Sequence, residues 1–293
     1  MTRRDCLVLL GGGTYAASTD SLLSRWRAIA AESDGVVGAA VLNLRTGDRA
    51  ELNGDERFPL ASVCKLPIAM NLLAMVDEQQ LALSGEIEVL PADIVTHVSE
   101  IAERWPKRRR FPLSELIRLM IATSDNTAVE TLYRIGGGAP AMAARFRQWR
   151  IDGMRIDRSE RQCGRDASGG EDAMRRFIAD PRDTATPNAT IQLLRRLFAG
   201  QLLSAASTAF AIKCLEACET GGGRIRALLP TGTVVADKTG TTATAPGGLN
   251  GGTNDVGVIV RRLAIAVYIK GSRQNLATRE NIIARLAQAA WTT

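Results

Sequence analysis

Strand-like runs stand at the two ends of this chain and helical ones fill the middle, and that order limits the fold more than any other feature. Residues 36–44 are apolar and β-branched, Arg45-Thr46-Gly47-Asp48 makes a turn, and 50–52 continue, so the stretch reads as a hairpin. Residues 233–238, 255–260 and 263–270 read as strands, the last two separated by Arg261-Arg262. So short a connection makes neighbours antiparallel. A two-stranded hairpin is too small to stand alone, so it is expected to join the C-terminal strands in one sheet. Apolar residues at helical spacing predict helices over 21–33, 60–76, 113–122, 127–135, 139–149, 189–198, 204–218 and 276–291. Residues 150–187 resist regular assignment. The expected class is α+β: an antiparallel sheet built from the N- and C-terminal segments with flanking helices, beside an all-helical lobe. The sheet domain would comprise 18–60 and 204–293, and the helical domain 61–203. A small-molecule site is expected in the cleft between them.

Composition removes several function classes. The chain has 293 residues, ample for a buried core. No run approaches the roughly 18 apolar residues of a membrane span. A single histidine, His97, excludes a multi-histidine zinc site. The net charge of +6 is spread along the chain, and its densest cluster, Lys107-Arg108-Arg109-Arg110, reads as a solvated loop and not a nucleic-acid footprint. Of five cysteines, Cys214 and Cys218 share a helical face and read as buried thiols. Residues 1–17 combine a basic start with Arg3-Arg4, a short apolar stretch and small residues near Ala17, which reads as an export signal that looks like the twin-arginine type.

Three short motifs carry candidate chemistry. In Ser62-Val63-Cys64-Lys65, positions i and i+3 share a helical face, so a hydroxyl and an amine can touch. A serine hydroxyl is a weak nucleophile until a base takes its proton, and a desolvated lysine among other cations can be that base. The plain alternative makes Ser62 an N-cap. Ser124-Asp125-Asn126 sits between two helices, where all three are preferred caps, and Thr127 with Glu130 would make a capping box. Lys238-Thr239-Gly240 ends a strand, and alone it reads as a strand-to-turn transition.

In this order the three motifs are specific, and the chain resembles the class A serine β-lactamases. The resemblance extends to Arg57-Phe58-Pro59-Leu60-Ala61, Arg182-Asp183-Thr184-Ala185-Thr186-Pro187 and Gly252-Thr253-Asn254-Asp255. It implies that Ser62 attacks a β-lactam carbonyl to form an acyl-enzyme, with Lys65 or Glu160 acting through water as the base. Ser124 would pass a proton to the leaving nitrogen. Backbone N–H groups of Ser62 and Thr241 would form the oxyanion hole. Asn126 would hold the substrate side-chain amide, and Lys238, Thr239, Gly240, Thr241 and Arg224 would line the site, with Lys238, Thr239 and Arg224 receiving the carboxylate. Glu160, in Ile156-Asp157-Arg158-Ser159-Glu160, would activate the deacylating water from an omega loop of about 158–183, closed by an Arg158–Asp183 pair. No metal or cofactor is needed, and an exported, periplasmic monomer is expected.

Departures fall in that loop. The family's usual Glu-Pro-x-x-Asn becomes Glu160-Arg161-Gln162-Cys163-Gly164, so the proline that permits a cheap cis peptide and the water-holding asparagine are both replaced. The stretch 164–183 is about ten residues longer than the family pattern, and Glu171 within it is a rival base. His97 lies near an aromatic rim position and reads as a loop residue. The disulfide that some carbapenem-hydrolysing members carry is absent, because Ala61 and Thr242 stand there. Two rival readings remain: a β-lactam sensor or slow acyl-trap, and a D-alanyl-D-alanine peptidase.

Overall fold

A computed structural model describes residues 12–293, with side chains from Thr19 onward. The chain enters through helix α1 (Gly12–Ala30) and the hairpin of β1 (Val36–Asn43) and β2 (Arg49–Leu52). It leaves the sheet through β3 (Phe58–Pro59), then builds α2 (Lys65–Asp77), β4 (Glu86–Glu88), α3 (Glu100–Arg104), β5 (Arg110–Pro112), α4 (Leu113–Ala122), α5 (Asn126–Ile135) and α6 (Gly138–Trp149). Then follow α7 (Glu160–Ala167), α8 (Glu171–Ala179), β6 (Thr184–Ala185), α9 (Pro187–Phe198) and α10 (Ala205–Glu216). The chain returns as β7 (Val235–Thr241), β8 (Thr253–Ile259) and β9 (Leu263–Lys270) and closes with α11 (Leu276–Trp291). The expected export signal falls outside the described residues, apart from the backbone at the start of α1. No helix among the described residues is long and apolar enough to cross a membrane.

Both chain ends build the principal sheet, as expected. Its order is β2-β1-β9-β8-β7, antiparallel throughout, with Val36 opposite Lys270 and Asn43 opposite Leu263. Strands β1 and β9 read as nearly continuous apolar runs because helices cover both faces, whereas β7 and β8 hold the polar stretches Asp237–Thr239 and Thr253–Asp255. Val37, Val41, Ile265, Val267 and Ile269 pack against Trp26 of α1 and Ile282, Ile283 and Leu286 of α11. Trp26 Nε1 donates to Leu286 O at 3.0 Å, satisfying the one polar atom of a fully buried ring. On the other face, Ala40, Ala266 and Tyr268 join one core with Leu66, Met70, Leu73, Leu116, Leu193 and Leu215. Helix α2 is buried on nearly every side, which fits its almost unbroken apolar sequence.

Three local expectations change. The predicted helix over 60–76 begins as a 3₁₀ turn, Ala61–Cys64, and becomes α-helical at Lys65. The irregular stretch holds α7 and α8. Ser159 caps α7, with Gln162 answering in a capping box, and α8 buries Ala173, Met174 and Phe177 on one face. The capping box expected of Thr127 and Glu130 does not form. Asp125 is the N-cap of α5, and Thr127 lies inside the helix, where its hydroxyl accepts from Val95 N and donates to Val95 O.

Candidate active site

The turn that presents Ser62 is strained and buttressed. Ala61 has φ +46°, a left-handed conformation that costs about 1–3 kcal/mol in a residue with a Cβ. Asn254 of β8 donates through Nδ2 to Pro59 O (2.8 Å) and Leu60 O (3.1 Å), and Leu60 N donates to Asp183 O at 2.9 Å. Strand β7 runs against the turn. A Cβ on Gly240 would come within 2.8 Å of Leu60 O and 3.1 Å of Ser62 N, so this strand position requires glycine. The close approach sets the main chain of Gly240, next to Thr241, against that of Ser62.

Ser124 is where the two lysines meet. It too is left-handed (φ +62°), on the link between α4 and α5. Lys65 Nζ donates to Ser124 O (2.7 Å), Ser124 Oγ (3.1 Å) and Asn126 Oδ1 (2.6 Å). Lys238 Nζ donates to the same Ser124 Oγ (3.1 Å) and to Thr239 O (3.0 Å). Both lysines are fully buried. Burial lowers the Lys65 pKa, and the Glu160 carboxylate is the leading influence opposing it. Burial, then the charge of Lys65, pushes Lys238 down to about 8. Ser62 and Lys65, which helical spacing lets touch, share no hydrogen bond among the described residues; the three Lys65 donors point at Ser124 and Asn126.

Asp125 does structural work while its neighbours turn to the cleft. Its carboxylate caps α5 at Ala128 N and also accepts from Ile101 N and Ser99 Oγ. Asn126 Nδ2 donates to His97 O at 2.9 Å, so His97 is held on the rim through its backbone.

Glu160 is the first residue of α7 and lines the cleft with Ser62, Ser124, Asn126 and Thr239. Its carboxylate makes no hydrogen bond among the described residues. The peptide that follows it is trans. At Gly164 a Cβ would meet nothing within 4 Å, so the space beside Glu160 is open. Glu171 is turned away, bonded to Arg175 (2.6 Å) and Arg273 (2.5 Å).

The loop carrying Glu160 is closed at its neck by a buried ion-pair network. Arg158 Nε donates to Asp183 Oδ2 (2.6 Å), Arg158 Nη1 to Asp166 Oδ2 (2.6 Å), and the backbone N–H groups of Asp157 and Arg158 to Asp183 Oδ1 (2.7 and 3.0 Å). Removing Asp183 takes away the buried partner of Arg158, leaving it the more exposed Asp166 and Asp180, and strands the N–H groups of Asp157 and Arg158. Asp183→Ala is therefore expected to cost about 3–5 kcal/mol of stability. Urea unfolding at neutral pH checks this, and a loss below about 1 kcal/mol would show the pair to be dispensable.

Arg224 is 4% exposed and largely engaged. It donates to Glu280 Oε1 (3.1 Å), Gly240 O (3.1 Å), Asn254 O (2.8 Å) and Thr241 Oγ1 (2.6 Å), which leaves one of its five N–H groups for a ligand. Thr220, which sequence reasoning did not single out, shares a 2.5 Å hydrogen bond with Thr239 Oγ1 and lines the cleft. Asn254 was quoted only within a matching stretch; its hold on the Ser62 turn depends on strand pairing that no local motif reports. The four cysteines among the described residues are free, and Cys214 and Cys218 are buried as expected.

A model of the β-lactamase enzyme family matches residues 21–293, and the chain belongs to that family. Curated relatives include the β-lactamase VEB-1 of Pseudomonas aeruginosa, 28% identical over 94% of this chain and 91% of the relative. The β-lactamase CTX-M-25 of Escherichia coli is 30% identical over 98% and 94%. Among solved structures, the TLA-1 extended spectrum β-lactamase superposes with a TM-score of 0.87 at 26% identity, covering 94% of this chain and 98% of that one. A β-lactamase from Chitinophaga pinensis DSM 2588 gives 0.85 at 32% identity, covering 93% and 98%. Within the family, this is a serine β-lactamase of class A.

Proposed function

We propose that this protein is exported and, as a monomer, hydrolyses β-lactam antibiotics through an acyl-enzyme on Ser62 that water, activated by Glu160, then releases. The observation that carries this reading is that Ser62, Ser124 and the uncommitted Glu160 carboxylate line one cleft, with both buried lysines bonded to the Ser124 hydroxyl behind it. Ser62 Oγ attacks the lactam carbonyl, and its proton passes through water to Glu160. The alternative base is Lys65. Three N–H donors facing three acceptors match an ammonium ion, which has no free lone pair, and this favours Glu160. Main-chain N–H groups of Ser62 and Thr241 stabilise the oxyanion, where one donor is worth roughly a hundred- to thousandfold in rate.

The lactam C–N bond then breaks, and Ser124 gives its proton to the leaving nitrogen. That proton has no acceptor among the described residues, while Lys65 and Lys238 both donate to the oxygen and so stabilise the alkoxide left behind. Asn126 binds the side-chain amide. Lys238, Thr239 and the last donor of Arg224 receive the carboxylate. Before the second half, the proton held by Glu160 returns by way of water and Lys65 to the Ser124 alkoxide; Glu160 then takes a proton from water, the hydroxide attacks the ester, and that proton passes to Ser62 as it leaves as the hydroxyl.

Lys238 gives a pH prediction. Above a pKa of about 8 it loses its charge, so the substrate carboxylate and Ser124 both lose a cation. The value of kcat/KM, which reports the free enzyme, is expected to fall about tenfold per pH unit beyond that point. An alkaline limb near the ordinary lysine value of 10.5 would contradict it.

Gly164 favours one other reading, an acyl-trap, because no side chain stands there to orient water. Product counting separates the two. Purified protein with a chromogenic cephalosporin is expected to open many rings per molecule, whereas one ring per molecule would establish the trap.

A further inference from the structure

The residue after Glu160 makes contacts that leave the loop. Arg161 Nη2 donates to Ala92 O (2.8 Å) and Ile94 O (2.7 Å), and Arg161 N donates to Glu130 Oε2 (3.1 Å). Among the described residues, no other hydrogen bond of α7 reaches beyond residues 158–183. A proline at 161 would supply neither donor. Both anchors are firm. Glu130 lies one turn along α5 from Asn126, on the same face, so the helix that holds Asn126 at the cleft also holds the start of α7. Residues 91–95 are tied to α5 in turn. Arg134 donates to both oxygens of Asp93 (2.9 and 2.6 Å), and the Thr127 hydroxyl accepts from Val95 N and donates to Val95 O, each at 3.1 Å. The other polar fastenings of this segment are local: the Ser159–Gln162 capping box shapes the turn, and Arg158–Asp183 closes the neck. Neither ties the first turn of α7 to α5. The Glu160 carboxylate, with no hydrogen bond of its own, is placed by that backbone.

We propose that Arg161 is a positioning residue for deacylation: its bonds to Ala92 and Ile94, with the Glu130 bond to its N–H, fix the first turn of α7 and so hold Glu160 over the ester on Ser62 with room for one water. This rests on the hydrolase reading, in which Glu160 activates that water. Deacylation is the step most exposed to a loose Glu160. The space at Gly164 is open, so no side chain there helps to orient the water, and Glu160 must do so from a fixed place. A misplacement of about 1 Å can cost about a hundredfold in such a step. Acylation depends on it less. The Ser62 turn is braced by Asn254, and Ser124 is held between the two lysines, all of them outside α7. Arg161 is exposed, so replacing it removes no core packing.

The test measures kcat and KM for benzylpenicillin, with the Ser62 adduct followed by mass in the steady state, on the wild type, Arg161→Ala, Arg161→Lys and Glu130→Ala. Slower deacylation lowers kcat and KM together and leaves kcat/KM, which reports acylation, unchanged. Arg161→Ala is therefore expected to lose about a hundredfold in kcat, with KM falling in step, kcat/KM within about threefold of wild type, and the acyl-enzyme as the main species. Glu130→Ala should show the same pattern at about tenfold. Arg161→Lys, which can still reach one carbonyl, should recover kcat to within about tenfold of wild type. A kcat within about threefold of wild type in Arg161→Ala would overturn the proposal. So would a lower kcat at unchanged KM with no adduct, the mark of a smaller folded fraction. If Arg161→Ala does not fold, Glu130→Ala decides by the same two signs. A wild type that opens no ring and carries no adduct on Ser62 would instead sink the hydrolase reading, and this inference with it.

Discussion

Glu160→Gln is expected to stop the enzyme halfway, with the acyl group still on Ser62. The amide keeps the size of the carboxylate but cannot take a proton from water. Loss of a general base lowers deacylation by about a thousandfold. Acylation is expected to suffer less. The Glu160 charge is what leads the opposition to the burial-lowered pKa of Lys65, so removing it lets that pKa fall further and frees Lys65 as a substitute base. The loop itself should persist, because its neck is held by Arg158 and Asp183 and not by Glu160. Intact-protein mass spectrometry after mixing with a penicillin checks this. A lasting adduct in the variant alone is the predicted result. Turnover within about tenfold of wild type would mean that another group activates water.

Ser62→Ala removes the nucleophile and is expected to cost about 10⁵-fold or more in kcat, since groups acting as one unit cannot replace each other. Binding should largely remain, because Asn126, Lys238 and Thr239 are undisturbed and the methyl fits where the hydroxyl was. A substrate protecting the variant against thermal unfolding, with no adduct and no hydrolysis, is the expected pattern. Residual hydrolysis within about a hundredfold of wild type would remove Ser62 from the mechanism.

The sheet was legible because β1 and β9 are buried and read as apolar runs, and because Val260–Arg262 leaves room only for an antiparallel turn. The helices α7 and α8 were not, because they are short and polar and their apolar residues face one loop, 245–251, instead of the main core. At the site, spacing pointed to a contact between Ser62 and Lys65, since an α-helix was expected there. The 3₁₀ turn and the pull of Ser124 and Asn126 direct the amine elsewhere. The meeting of Ser124, on the α4–α5 link, with Lys238 of β7 joins residues 114 positions apart, and no local pattern reports it; only the resemblance joined the motifs. The resemblance implied that Arg224 receives the substrate carboxylate. Burial, and carbonyls from two strands, make it chiefly a brace for β7.

The most direct measurement is a rapid-quench time course on the wild-type protein with a chromogenic cephalosporin, digested and read by mass at the peptide containing Ser62. A mass increment of one opened substrate that rises before the steady state and disappears as substrate runs out, while product accumulates over many turnovers, is the predicted result. Sustained hydrolysis with that peptide unmodified at every time point would contradict the account.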